Sequence, residues 1–402
     1  MNSLYFQFNK LLALFFLLLL IASAYFVQTA TAANESEKPT EHNIVTSLKA
    51  LPTRNEIIIG RENGAIELWT IKSAKLKWST EPEVGSVISL WASEGKNLIK
   101  AINSWGDIKE IELNTGKVTV KGTLRGQFED DFLKQASISP KGDYLIMPDN
   151  ETTPEGTINK ASGFDISNLA DQGPRKVLSL YPSTELGLDT VLIASFCDHS
   201  KQVIMATRKG YILIWPDDIW KEVSQKDKYT ASNPTGLSLD TAEHVRRIGR
   251  ELLWKHFPVI RGGACSGSYV ATVGVRSDAG NIQLWERAEM RLIDNFLPHE
   301  FDPHVLDPRH AYLDAKTRTL VTAGEIISWV WRFNNDKLTP IGRIARDKMN
   351  SPNSYRLLNE TIDFLDDKII FGSGSGAFIL DNSTLQLVGQ LGEGTPPNIK
   401  LK

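Results

Sequence analysis

The chain has 402 residues and a formal net charge of −3, so its overall charge does not single out nucleic acid as a partner. Two cysteines in that length exclude a disulfide-built scaffold. Hydrophobic content of 41% suffices for a full core, and all-β folds of this size commonly form one domain.

Residues 1–33 read as a segment outside the fold. Lys10 precedes an apolar run from Leu11 to Val27, and Ala30-Thr31-Ala32 stands before Ala33. That is the pattern of a signal peptide with an Ala-x-Ala cleavage site. A retained N-terminal anchor is the alternative, because the apolar run approaches the length of a spanning helix. Either way the remainder is expected to be periplasmic or extracellular, with membrane contact only through residues 11–27 if the leader stays. Residues 34–43 are polar and acidic and are expected to form a flexible leader. A single domain is expected over 44–402.

The first unit of that domain sets its rhythm. Ile57 to Ile59 form a β-branched run, Asn63-Gly64 supply a tight turn, and Ile66 and Leu68 alternate with Glu67 and Trp69. Four strands are expected near 44–51, 56–61, 65–71 and 75–80. A glycine leading into a strand recurs at Gly64, Gly106, Gly163, Gly210, Gly280, Gly324 and Gly376, at intervals of 42 to 70 residues. Four strands per period of about fifty residues describe a propeller blade. The expected fold is therefore an all-β, seven-bladed β-propeller, with eight blades as the alternative.

The second unit spans Val87 to Leu124, the third about Phe132 to Tyr181 with a long loop at 149–162, and the fourth begins at Val191. After Trp215 the rhythm breaks for an insertion at about 217–250. Its second half reads as a helix that begins near Asp240, with Arg246, Arg247 and Arg250 off its apolar stripe. The expected role is to cover the lower face, with binding of an acidic partner or a membrane surface as the alternative, and Leu252 to Phe257 is read as the unit's outer strand. Units five, six and seven follow at 259–297, 305–344 and 355–391. No spare strand is evident at either end, so closure of the ring is expected to depend on packing between blades one and seven.

Two resemblances accompany this pattern. ISPKGDYLIM resembles the Ser-Pro-x-Gly turn of WD repeats, and GAIELW, GYILIW and GNIQLW resemble their third strand, ending at Trp69, Trp215 and Trp285. Thr70, Pro216 and Glu286 stand where that family usually carries aspartate, so the resemblance does not imply its buried hydrogen-bonded tetrad. IELWTIKSAKLKW is also similar to repeats of propellers related to pyrroloquinoline-quinone enzymes, a group that includes the periplasmic propeller subunit of outer-membrane protein assembly. The resemblances imply a rigid ring whose loops bind partners.

Several clusters are candidates for chemistry. Arg61, Arg208 and Arg276 fall just before the glycine turns of three units, where guanidinium groups projecting from one face suit a carboxylate or phosphate; surface arginines on polar turns are the simpler reading. Trp105 occupies the equivalent loop of unit two, either as an exposed anchor for a protein partner or folded over its own hairpin. His299, His304 and His310 lie close together with Glu300, Asp302 and Asp307, a composition compatible with a metal but without a strong zinc spacing. A hydrated turn-rich loop is the simpler reading. Cys197 and Cys265 end the first strands of neighbouring units; separate buried thiols are the simpler expectation and a disulfide the alternative. Gly372 to Gly376 lacks the Lys-Ser/Thr and helix of a phosphate loop. No catalytic residue and no cofactor is expected, and the functional expectation is a non-catalytic protein-interaction platform. The alternatives are a propeller enzyme or metal-binding protein and, third, a subunit of envelope assembly.

Overall fold

The computed structural model describes residues 44–126, 133, 135–153, 156–180, 190–197, 201–207, 212–215, 220, 259–276, 279–288, 291–296, 308–324, 327–334, 337–345, 361–374, 376–393 and 396–401. Seven antiparallel sheets follow one another along the chain. Blade one is β1 (Val45–Leu51), β2 (Glu56–Arg61), β3 (Ile66–Thr70) and β4 (Lys75–Ser79). Blade two is β5 (Val87–Ser93), β6 (Leu98–Asn103), β7 (Asp107–Glu112) and β8 (Val118–Thr123). Blade three is β9 (Ser137–Ile138), β10 (Tyr144–Thr153), β11 (Gly156–Asp165) and β12 (Arg175–Leu180), with a one-turn helix α1 (Leu169–Gln172) before β12. Blade four has β13 (Val191–Phe196), β14 (Val203–Thr207) and β15 (Ile212–Trp215). Blade five is β16 (Val259–Ser266), β17 (Tyr269–Arg276), β18 (Ala279–Glu286) and β19 (Arg291–Phe296).

Blade six is β20 (His310–Asp314), β21 (Thr319–Ala323), β22 (Ile327–Phe333) and β23 (Leu338–Ala345). Blade seven is β24 (Thr361–Leu365), β25 (Lys368–Ser373), β26 (Gly376–Asp381) and β27 (Leu387–Gly392). The chain then returns to blade six, where β28 (Asn398–Leu401) pairs with the outer edge of β23. The spare strand that the sequence does not announce therefore exists. It extends blade six and does not clasp blade one to blade seven.

The apolar core is divided among seven seams, one between each pair of neighbouring blades. This explains why the strands are apolar on both faces. In β2, Ile57 and Ile59 pack with Ile370, Ile379 and Leu391 of blade seven, while Ile58 between them packs with Val87, Ile99 and Ile111 of blade two. The remaining five seams repeat the arrangement around the ring. Closure is made at the seam between blades seven and one. There the Val45 amide donates to the Gly374 carbonyl at 2.8 Å, and the Ala50 amide donates to Asp363 Oδ2 at 2.7 Å.

The blades also share a local irregularity. The ladder between third and fourth strands slips by one residue at Trp69, Ile111, Phe164, Trp285, Trp331 and Leu380. A bulge there increases strand twist where each blade fans outward. The equivalence adds Trp331 to the tryptophans read from sequence. Its Nε1 donates to Thr322 Oγ1 at 3.1 Å, whereas the buried Nε1 atoms of Trp215 and Trp285 have no hydrogen-bond partner among the described residues.

Two expectations require correction. The loop expected at 149–162 is mostly strand: β10 and β11 pair without interruption from Tyr144 with Asp165 to Thr153 with Gly156. Gly163 consequently lies within β11, not in a turn, where a Cβ would come within 2.8 Å of Trp220. The expected insertion helix and blade four's expected outer strand lie outside the described residues.

Candidate functional site

Alternating up-and-down strands put the turns between second and third strands, and the crossings between blades, on one face of the ring. Gly64 and Gly106 make two of those turns with φ of 77° and 80°, values that a residue with a Cβ adopts only at a cost. A central channel of about 600 Å³ opens through the ring and is lined by the innermost strand of every blade. Its polar lining includes Ser137, Ser195, His310 and Asp363. Ser195 Oγ donates to Ser137 Oγ at 3.2 Å, and Asp363 Oδ2 stands 3.8 Å from Lys49 Nζ.

Of the four partner-binding candidates, the side chains of Arg61 and Trp105 are described. Arg61 is buried, and its Nη2 pairs with Glu67 Oε2 at 2.6 Å, so its charge is spent within the seam to blade seven. The expectation of an outward guanidinium at this position is corrected: β3 offers a carboxylate close enough to turn the side chain inward. Arg208 lies outside the described residues. Arg276 is the last residue of β17, paired with Ala279.

Trp105 is half-buried and lies down on blade two. A Cβ on Gly85 would stand 2.3 Å from its Cδ1, so the ring occupies space that only glycine leaves open. Arg125 covers the ring at 5.5 Å from its centroid and pairs with Asp107 at 2.7 Å. Beside this stack Val84 is 71% exposed, and its carbonyl is held by Asn103 Nδ2 at 3.0 Å. Glu83 next to it bridges Lys109 at 2.9 Å and Lys121 at 2.8 Å. Partial burial pushes the Glu83 carboxyl up, but the two lysine hydrogen bonds outweigh it and hold the group below its ordinary range. The result is a fixed apolar point, Val84 with the Trp105 ring, rimmed by charges of both signs. Sequence reasoning named Trp105 and missed Val84. The Val84-Gly85 dipeptide between two blades was the available signal.

His299 and His304 lie outside the described residues, and His310 sits in the channel wall at the start of β20. Burial, reinforced by the adjacent Arg309 charge, lowers its pKa to about 4, so it is neutral near pH 7. Among the described residues no three His, Cys, Asp or Glu side chains gather as a metal would require.

Cys197 and Cys265 are joined by a disulfide, with Cα atoms 4.8 Å apart. Separate thiols, the simpler expectation, are therefore corrected: Cys197 follows β13 and Cys265 lies in β16, and their innermost strands stand side by side at the channel. Arg287 Nη1 lies 3.7 Å from Cys265 Sγ.

Fold and face together define a seven-bladed β-propeller. Among solved structures it is similar to Sqt1 of Saccharomyces cerevisiae, with a TM-score of 0.54 at 10% identity over 89% of this chain and 87% of that one. It is also similar to the computationally designed Ika8 protein, with a TM-score of 0.49 at 14% identity over 89% of each chain. No family model and no curated protein matches the sequence. At such identities the likeness concerns the fold alone.

Proposed function

We propose that the protein is an exported, non-catalytic interaction platform that docks a protein partner on the face bearing Val84 and Trp105. The observation that carries this reading is the exposed Val84 beside a tryptophan ring immobilised by Gly85 and Arg125. A rigid aromatic next to an accessible apolar side chain, with charges around it, has the composition of an interface anchor. The ring holds it still, so little order has to be gained on binding. The β10–β11 ribbon rises from the same face and adds relief.

Export to the periplasm or the exterior is part of the proposal. It is supported by the apolar run at 11–27 and by the Cys197–Cys265 disulfide, a bond that persists in oxidising compartments.

A photo-crosslinking amino acid placed at Val84, in cells expressing the full chain, tests the reading. It is expected to capture one predominant protein, and Trp105→Ala is expected to reduce that capture. The same probe at Lys72, in a turn on the opposite face, serves as the control. Equal capture from the two positions contradicts the proposal.

A further inference from the structure

The outer edge of blade seven differs from the other outer edges of the ring. Strand β27 is the last of its sheet, and among the described residues no strand pairs with its far side. A terminal strand turns part of its backbone N–H and C=O groups outward, where another strand can pair with them. Natural sheets blunt such edges with charge, and the other described fourth strands do so. Lys77 stands in β4, Lys121 in β8, Arg175 in β12 and Asp294 in β19. Strand β23 carries Arg343 and is covered by β28. Strand β27 reads Leu387-Val388-Gly389-Gln390-Leu391-Gly392, with no charge, no proline and no added strand.

Its apolar side chains are also on offer. Leu387 is 42% and Val388 55% exposed. The ladder to β26 passes from Leu387 to Gly389, so Val388 has no residue opposite it. Asp381 Oδ1 accepts amide hydrogen bonds from Ser383 at 3.0 Å and Thr384 at 2.8 Å, which fix the turn leading into the strand. We propose that β27 is a self-association edge, where a second copy of this chain pairs β27 antiparallel against β27. A two-fold contact sets a strand against itself, so a charge on it would be brought close to its own copy. Among the described fourth strands, β27 alone escapes that repulsion. A foreign strand would be selected by complementary charge, and β27 presents none. The contact lies on an outer strand of blade seven, apart from Val84 and Trp105 of the docking face.

Sedimentation velocity of the full chain, from micromolar to submillimolar concentration in one detergent, tests the proposal. The mass is expected to rise with concentration from one chain toward two, as a small interface dictates. Val388→Lys and Val388→Glu are each expected to weaken association on the order of tenfold or more by like-charge repulsion. An equimolar mixture of the two variants is expected to restore it. Circular dichroism identifies variants that keep the fold. A chain that stays monomeric throughout overturns the proposal. So does a folded Val388→Lys variant that associates as the original does, since the contact then lies elsewhere, the apolar run at 11–27 included.

Discussion

Glu67 Oε2 is shared between Arg61 Nη2 at 2.6 Å and the indole Nε1 of Trp69 at 2.7 Å, inside the seam that joins blade one to blade seven. Arg61 and Glu67 are only 4% and 8% exposed. Removing one charge would strand the other away from water, so Arg61→Met is expected to cost about 3–5 kcal/mol in denaturant unfolding. Arg61→Met with Glu67→Leu is expected to recover much of that loss. A single-variant cost below about 1 kcal/mol would show that the pair is hydrated.

The disulfide closes a loop of sequence separation 68 that contains β14, β15 and the insertion. Chain-entropy arithmetic for a loop of that length gives about 4 kcal/mol, and measured values for native bridges cluster at about 2–5 kcal/mol. The double variant Cys197→Ser, Cys265→Ser is expected to lose stability in that range in non-reducing urea titrations. Thiol titration of the unfolded, unreduced protein is expected to find no free sulfhydryl.

His310 gives stability a pH dependence of definite sign. Its folded pKa of about 4 lies below the ordinary value of 6.5, so between those values the unfolded chain binds more protons. Stability on this account is fully present above about pH 6.5, falls as pH drops toward 4, and levels off below that. The contribution is on the order of 3 kcal/mol. His310→Phe is expected to flatten the profile in that window, measured by urea unfolding at fixed pH. An equal slope in both proteins would refute the assignment. Asp143 behaves differently: burial raises its pKa, but the Lys201 and Ser139 hydrogen bonds outweigh this and lower it, so its contribution is lost only in more acid solution.

The C-terminal strand is expected to be dispensable for closure. Only Ile399 of β28 packs into the seam between blades six and seven, and Leu401 is 65% exposed. Removal of residues 398–402 is expected to cost about 1–2 kcal/mol, the burden of one partly buried side chain. Ile57→Ala in the closing seam is expected to cost about 2–5 kcal/mol.

Blades one and two are legible from sequence because Asn63-Gly64 and Asn114-Thr115-Gly116 mark turns between alternating strands. The β10–β11 ribbon escaped because Pro148, Asp149, Asn150 and Glu151 read as loop. Backbone pairing alone continues the ladder through these residues, and their polar side chains give no apolar alternation to read. Strand β28 escaped for a related reason, as Asn398-Ile399-Lys400-Leu401 offers one inward apolar side chain and no periodicity. Arg61 was read as a surface residue from its place before a turn. Glu67 and Trp69, two apart on one face of β3, were the sign that its partner lay within the blade. The bonding of Cys197 to Cys265 needed the adjacency of β13 and β16, which no local pattern encodes.

The central claim is that seven wedges close into one ring by direct apposition of blades seven and one. Hydrogen–deuterium exchange resolved at single amides tests it most directly, at Val45 and Ala50 on the inward edge of β1. Closure predicts that both exchange as slowly as the amides of β2, since Gly374 and Asp363 hold them. Exchange at the rate of an unpaired edge strand, with β2 still protected, would contradict the account.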